Sequence, residues 1–252
     1  MTLGDFTEQA DAYTKARPGY PRELVDSLAA DIGGNSKSHL IRVADVGAGT
    51  GIMTTLLSKR GFNVTAVEPN TAMRREAFES DVTWVEGTFE DTQLSTEEFD
   101  WVVAAQAFHW ADPPRALPEL RRILKPNGVL TLIWNNRLND KSPLLTWTQN
   151  AIRNHVPDFD VNYRCKSWDT VATSTGDFTF VSRQAIRHSV TMTKQKYLNL
   201  WRSLNRLRTV AGSDRFGAFL RDVGDHLEAT VDETIEVPYE CEAWSFRAAG
   251  RT

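Results

Sequence analysis

Apolar positions along the chain alternate between short continuous runs and helical stripes. Leu24, Val25 and Leu28 share one stripe behind Pro21, which suits a first helical position, and Gly33-Gly34 ends that helix. Residues 41–51, IRVADVGAGTG, read as a buried strand entering a glycine-rich turn, and IMTTLLSKR predicts a helix closing at Gly61. The cycle then repeats. NVTAVEPN gives strand and turn, TAMRREAFES a helix with Asn70 or Thr71 as N-cap, and VTWVEGTFED a strand and loop. FDWVVAAQAFHW predicts a fourth strand and VLTLIWNN a fifth, with a helix in LPELRRILKPNG between them. Pro118 implies that this helix starts near Leu117 or is kinked there. Five strands alternating with helices over residues 21–136 predict a parallel, doubly wound α/β sheet. Right-handed crossovers put the strand C-termini on one edge, where ligands bind.

Beyond residue 136 the pattern changes. PLLTWTQNAIRNHV predicts an amphipathic helix with Leu144, Thr148, Ala151 and His155 on one face. FTFVSRQAIRHSVTM alternates as a long strand, with Phe178, Phe180, Ile186, Val190 and Met192 on one side. Tyr197, Leu200, Trp201, Leu204 and Leu207 predict one helix; Phe216, Phe219, Leu220, Val223 and Leu227 predict another. TIEVPYECEAWSF alternates as a last strand, interrupted by Pro238, which cannot donate to a ladder. Pro238 therefore lies before the paired portion or at a bulge.

Composition narrows the function classes. At 252 residues the chain fits one or two domains of about 150 residues each. The net charge of −4 argues against a nucleic-acid partner, which would need clustered Lys and Arg. Cys165 and Cys241 are too few for a disulfide framework or a Cys-rich zinc site, and His155, His188 and Cys165 lack metal-ligand spacing. No apolar run approaches 18 residues and MTLGDFTEQA lacks the order of a signal peptide, so a cytoplasmic enzyme with no membrane partner is expected.

The turn DVGAGTG, residues 45–51, is the most informative segment. Gly47, Gly49 and Gly51 permit a sharp turn and close approach of backbone to a ligand. A dinucleotide fingerprint requires a third glycine where Ile52 stands, so that pattern is not met. Glu68, 17 residues past Gly51, ends the second strand where a carboxylate accepts from ribose hydroxyls. Asp45 would repel a pyrophosphate but attract an ammonium. An adenosine carrying a zwitterionic amino-acid tail satisfies both, and S-adenosylmethionine is such a molecule.

With these residues in place, the segment resembles the first motif of class I S-adenosylmethionine-dependent methyltransferases. Further landmarks follow in order. Glu68-Pro69-Asn70 resembles the acidic ribose-binding strand end, with Met73 near the adenine. Gly87-Thr88-Phe89-Glu90 resembles the loop that contacts the adenine, and Ala105-Gln106 the strand end whose backbone binds the methionine portion. Residues 122–128, RILKPNG, resemble the family's R-x-L-x-P-G-G turn, with Asn127 replacing one glycine. The resemblance covers residues 13–136. YTKARPGYP and AFHW further resemble small-molecule enzymes of the trans-aconitate methyltransferase group, whose N-terminal segment folds over the cofactor.

The resemblance implies a Rossmann-like seven-stranded sheet, mostly parallel with an antiparallel last strand between strands five and six, plus a helical lid. It implies a single domain over 1–252: an N-terminal strap (1–20), a cofactor-binding core (21–136), and lid insertions with the last two strands (137–252). Expected cofactor contacts are Tyr13, Arg17, Asp45, Gly47, Ala48, Gly49, Thr50, Gly51, Glu68, Pro69, Met73, Thr88, Phe89, Glu90, Ala105 and Gln106. Tyr20, Phe108, His109, Trp110, Trp134 and Asn135 are expected to meet the substrate. His109 is the candidate catalytic base, and its alternative role is to hold the loop beside Trp110. Arg17 or Arg137 would pair with an anionic acceptor. Asp112-Pro113-Pro114 lacks the aromatic fourth residue of the D-P-P-Y motif and reads as a helix start.

Three functions compete at this point. The first is methyl transfer to a small-molecule acceptor, with O-methylation of a carboxylate set slightly ahead of N- or C-methylation. The second is a catalytically silent module that binds the cofactor or scaffolds a partner. A nucleic-acid or protein methyltransferase comes third, because it would need a basic groove. Eight Trp residues are consistent with an aromatic, water-excluding pocket. Trp84 and Trp101 are expected to pack in the core, Trp110 and Trp134 to flank the cofactor, and Trp147 and Trp201 to lie on lid helices.

Overall fold

A computed structural model describes residues 17–33, 38–77, 82–163 and 166–250. The chain divides into two compact units, each described by itself. The sheet unit comprises Gly19–Asn135, Arg164–Ile186 and Cys241–Thr252, and the helical unit comprises Asn136–Tyr163 and Arg187–Glu240 with residues 17–18.

In the sheet unit, α1 (Arg22–Asp31) precedes β1 (Arg42–Val46), α2 (Ile52–Ser58), β2 (Asn63–Val67), α3 (Thr71–Arg75), β3 (Thr83–Val85) and β4 (Phe99–Ala105). Then come α4 (Pro113–Ile123), β5 (Leu124–Arg137), α5 (Pro143–His155), α6 (Trp168–Thr173) and β6 (Phe178–Thr193). The last elements are α7 (Lys194–Arg202), α8 (Asn205–Thr230) and β7 (Thr234–Ala248). The strands form one seven-stranded sheet in the order β3-β2-β1-β4-β5-β7-β6. β1 pairs in parallel with both β2 and β4, and β4 pairs in parallel with β5, as the alternating pattern requires. Contacts of β7 run the opposite way: Thr131 meets Ser245 while, further along β5, Leu138 meets Pro238. The antiparallel last strand thus lies between β5 and β6, as expected.

Strand alternation sorts the core into two faces. Val43, Trp101, Val103, Val129 and Ile133 pack with Leu24, Val25 and Leu57 of α1 and α2. Ala44, Val102, Ala104, Leu130 and Trp134 pack with Leu117 and Leu120 of α4 and Trp168 of α6. This two-sided burial is what a doubly wound sheet demands. Trp101 is fully inside, and its indole N–H donates to Thr131 Oγ1 at 2.9 Å. The strand order reverses direction between β1 and β4, so the connections leaving their C-terminal ends run to opposite sides, the place where open α/β sheets bind ligands.

Several elements differ from expectation. The helix α4 begins at Pro113 rather than Leu117 and carries Pro118 within it. Pro118 is the sixth of the eleven residues of α4, with its ring on the exposed face, where it removes one interior hydrogen bond. The R-x-L-x-P-N-G turn is an excursion inside β5: Phe99 pairs with Leu124 and Trp101 with Val129. Asn127 adopts φ 63° there, a left-handed conformation that Asn tolerates better than most residues. α3 ends at Arg75, short of the expected helix, and residues 78–81 lie outside the described residues.

Within the helical unit, α5, α7 and α8 enclose Leu145, Ile152, Tyr197, Leu200, Trp201, Leu207, Phe219 and Val223. The buried face of α5 is Leu145, Thr148, Gln149, Ala151 and Ile152, so Thr148 and Ala151 of the expected stripe are buried while Leu144 and His155 are half-buried at its margins. Ser142 caps this helix, its side chain accepting from Leu145 N. The expected 194–207 helix is broken between Arg202 and Asn205, although all five stripe residues are buried. Even-numbered residues of β6 do face inward, apart from Phe180, which is 43% exposed. Pro238 lies inside β7, where its carbonyl accepts from Leu138 N at 2.9 Å. The return bond that Pro cannot make is replaced: Leu138 O accepts from Lys141 N at 3.0 Å, in the turn where β5 has ended. Pro238 therefore sits at the margin of the β5 pairing.

Candidate functional site

The turn after β1 is held by hydrogen bonds from its own backbone. Gly47 N and Ala48 N both donate to Val67 O, at 2.8 and 3.0 Å, so the turn is stitched to the end of β2. Gly47, Gly49 and Gly51 all have positive φ, but for different spatial reasons. A Cβ on Gly47 would lie 2.6 Å from Ala107 Cβ, and one on Gly51 would lie 3.2 Å from the Trp84 ring. At Gly49 the nearest atom to a Cβ would be Met73 Cε at 4.0 Å, so the space there is open. Gly47 and Gly51 serve packing, whereas Gly49 faces open space.

Two carboxylates flank this turn. Glu68 accepts from Gly49 N with one oxygen and from Asn70 N with the other, each at 2.9 Å. It thereby ties the glycine turn to the start of α3, where Asn70 caps Met73 N as expected. Burial raises the Glu68 pKa above the ordinary carboxylate value, and the two backbone donors and Arg74 offset part of that rise. Asp45 is 1% exposed, and its Oδ2 accepts from Thr54 Oγ1 at 2.6 Å. Its Oδ1 is buried with no hydrogen-bond partner in the protein. Burial pushes the Asp45 pKa from the ordinary 3.8 up to about 7, against the lowering effect of Thr54. A buried acceptor with nothing to accept from is costly and implies a missing donor. Thr50 Oγ1, also buried, is in the same condition.

The loop after β3 closes another side. Thr88 Oγ1 accepts from Glu90 N and Asp91 N, and Phe89 packs edge-on against Phe108 at 5.4 Å. The Glu90 side chain accepts from Asp112 N, at the start of α4. Glu119 anchors this loop by accepting from both N and Oγ1 of Thr92, and Arg122 braces it through Leu94 O. Burial alone would raise the Glu119 pKa, but hydrogen bonds from Arg122 and Thr92 hold it down at about 2.

At the end of β4, Gln106 takes φ 58° and donates from its backbone N to Ile133 O at 2.8 Å. Its side-chain amide donates to Asn135 O, and its Oε1 is buried without a partner. Asn135 in turn donates to Gly19 O at 3.1 Å, which brings the start of the sheet unit to β5. Ala105 is half-buried and Pro69 exposed. Tyr20 packs against the α1 side of the core. His109 and Trp110 sit on a short 3-10 turn with their rings 4.8 Å apart.

The fold therefore draws the expected residues from 45–51, 68–73, 88–90 and 105–110 to the C-terminal edge of one sheet. Phe108 and Trp134, expected to meet the substrate, are 1% and 0% exposed and pack in the core of the sheet unit. Trp134 stacks on Trp168 at 3.9 Å, an arrangement worth about 1 kcal/mol beyond its area. Trp201 is likewise fully buried, and Trp147 stacks on His226 at 3.8 Å, so neither forms an aromatic pocket wall within the helical unit. Arg17 belongs to the helical unit and donates to Ser203 O, while Tyr13 and Cys165 lie outside the described residues. Sequence reasoning missed Thr54, whose signal was a hydroxyl inside the apolar stripe of α2. It also missed Trp168, which no sequence pattern tied to Trp134. Among the described residues no three His, Cys, Asp or Glu side chains group as a metal site, and no helix is long and apolar enough to cross a membrane.

A methyltransferase domain matches residues 44–132. An uncharacterised methyltransferase of Mycobacterium tuberculosis is 42% identical over 135 residues, covering 52% of each chain. The chain thus spans about half the length of the curated relatives it matches. The solved structure of a putative type II methyltransferase from Anaeromyxobacter dehalogenans superposes with a TM-score of 0.63 at 22% identity. That match covers 92% of this chain and 97% of the other. An N-methyltransferase of Haemonchus contortus, solved with S-adenosylhomocysteine, has a TM-score of 0.53 at 16% identity, covering 97% and 58%. Residues 44–132 thus match a methyltransferase domain, and the solved neighbours share the fold of the chain.

Proposed function

We propose that the whole protein transfers a methyl group from S-adenosylmethionine to a small-molecule acceptor. The observation that carries this is the unsatisfied Asp45 Oδ1 beside an open Gly49, because a cationic amino-acid tail supplies the missing donor. Glu68 has lone pairs left after accepting from Gly49 and Asn70, and these would take the ribose hydroxyls. Gly47, Ala48, Thr50 and Gly51 would shape the cradle, with Pro69 and Met73 beside the adenine. Thr88, Phe89 and Glu90 would close over its edge. Ala105 and the strained Gln106 would hold the methionine portion, and Tyr13 and Arg17 would cover it from the N-terminal strap. When bound, the cofactor supplies an electrophilic methyl group.

Transfer of that methyl is an in-line displacement, so the protein's part is to position the acceptor and exclude water. His109 would accept a proton from a neutral acceptor and would only orient an anionic one. Tyr20, Trp110 and Asn135 remain the proposed acceptor contacts, with Phe108 and Trp134 as the packed layer that fixes them. A carboxylate acceptor is placed first, on the resemblance to the trans-aconitate methyltransferase group. We read residues 1–252 as one cytoplasmic methyltransferase domain, with no nucleic-acid or membrane partner. Incubating the protein with labelled S-adenosylmethionine and a metabolite library should yield one labelled product of identifiable mass. Tight cofactor binding with no labelled product would favour the silent binding module instead.

A further inference from the structure

One edge of the sheet is β6, and among the described residues no strand lies beyond it. Its segment within the sheet unit, Phe178–Ile186, carries no Pro and no Lys, the residues that commonly blunt such an edge. The large apolar side chains exposed among the described residues are Leu40, Phe180 and Val181, so two of them are neighbours on this strand. Phe180 is 43% and Val181 50% exposed. The Phe180 ring lies 6.2 Å from half-buried Trp244 and 5.8 Å from the core residue Phe246, so the exposed ring is fixed against the sheet.

The backbone decides which peptide groups face outward. Asp177 O accepts from Ala249 N at 2.8 Å, so the Asp177 peptide groups turn toward the β7 side. Strand alternation then turns the N–H and C=O of Phe178 and Phe180 to the free edge. Such a row of peptide groups beside exposed Phe and Val is a template for another strand. The segment is also its own complement. In an antiparallel pair centred on Phe180, each Phe180 opposes the other, Thr179 opposes Val181, and Asp177 opposes Arg183. No like charges meet, and Asp177 adds a second carboxylate to the existing Arg183–Glu242 pair.

We propose that β6 is the self-association surface of this protein: two copies join their sheets edge to edge, antiparallel, about a two-fold axis at Phe180. Each Phe180 donates its N–H to the carbonyl of the partner subunit's Phe180, and Phe178 pairs in the same way with the partner subunit's Ser182. The two Phe180 rings then lie side by side on one face of a continuous sheet, while Val181 packs against the partner subunit's Thr179 on the other. A two-fold contact is closed, so association stops at the dimer. An unrelated strand would find the same peptide groups but neither the paired Phe180 rings nor the Asp177–Arg183 contacts. The contact lies within the sheet unit and does not require the cofactor, so it stands apart from the proposed activity.

The test is sedimentation of the full chain from about 1 to about 500 μM, over which the mean mass should rise from monomer towards dimer. Phe180→Lys sets two like charges opposite each other and should stay monomeric throughout, with a melting temperature within about 3 °C of the wild type. Register is read by oxidation of Phe180→Cys and Val181→Cys, each combined with Cys165→Ser; the remaining Cys241 is buried. Opposed Phe180 positions have Cα atoms about 5.5 Å apart, within disulfide reach, whereas the two Val181 positions lie about 8 Å apart. Phe180→Cys should therefore cross-link about tenfold faster or more. Random collision would give the reverse order, because Val181 is the more exposed. A wild type that stays monomeric at the highest concentration, a Phe180→Lys variant that dimerises, or equal cross-linking of the two cysteine variants would overturn the proposal.

Discussion

Asp45→Asn is expected to stabilise the ligand-free protein while weakening its hold on the cofactor. The buried carboxyl has its pKa raised from 3.8 to about 7, so the folded state binds a proton that the unfolded state has lost. The sign follows directly. Below pH 3.8 both states are neutral and Asp45 costs nothing; the cost then grows with pH and is complete above about pH 7. Its upper limit is about 4 kcal/mol, from roughly three pH units at about 1.4 kcal/mol each. Asn removes the charge and retains an oxygen for Thr54, so at pH 8 the variant should melt about 5 °C or more above the wild type. The gap should shrink steadily towards pH 4. Cofactor affinity should fall by about tenfold or more in the same variant, because a charge-assisted hydrogen bond is lost. Wild-type affinity should rise with pH through 7, and that rise should be absent in Asp45→Asn.

Glu68→Ala acts at a joint rather than at a charge. It strands the N–H groups of Gly49 and Asn70, which the carboxylate satisfies in the folded protein. Loss of both bonds should cost about 2 to 4 kcal/mol of stability, since each stranded buried donor costs about 1 to 2 kcal/mol. The glycine turn would keep its bonds to Val67 O but lose its tie to the start of α3, at the proposed cofactor site. Affinity for S-adenosylhomocysteine should fall by about 100-fold or more, the combined effect of a lost acceptor pair and a loosened cradle. Calorimetry beside a thermal melt separates the two effects. Affinity within about threefold of wild type would remove Glu68 from the site.

The sheet was legible because both its faces are covered, so each strand appears as an apolar run between helical stripes. Asn70 as a cap and the glycine turn were legible for the same local reason: their chemistry acts within three or four residues. What escaped was set by contacts between distant segments. Trp134 at a strand end resembles a pocket residue until Trp168, 34 positions later, is seen stacked on it. The face of α5 was half legible: Thr148 and Ala151 are buried as expected, but Leu144 and Leu145 both suit a stripe, and Leu145 with Gln149 and Ile152 completes the buried face. The dual role of Glu68 was half legible. Its position at the strand end was clear, but its grip on Gly49 depends on the turn's three-dimensional path.

The most direct measurement is a calorimetric titration of S-adenosylhomocysteine into the wild-type protein and Gly49→Leu. The wild type should bind one equivalent with micromolar affinity. In Gly49→Leu the new side chain points into space that is open in the free protein, 4.0 Å from Met73. The left-handed backbone there costs only about 1 to 2 kcal/mol for a non-glycine residue, so the variant should fold. It should give no binding heat. Wild-type protein that fails to bind, or a folded variant that binds as the wild type does, would contradict the cofactor site.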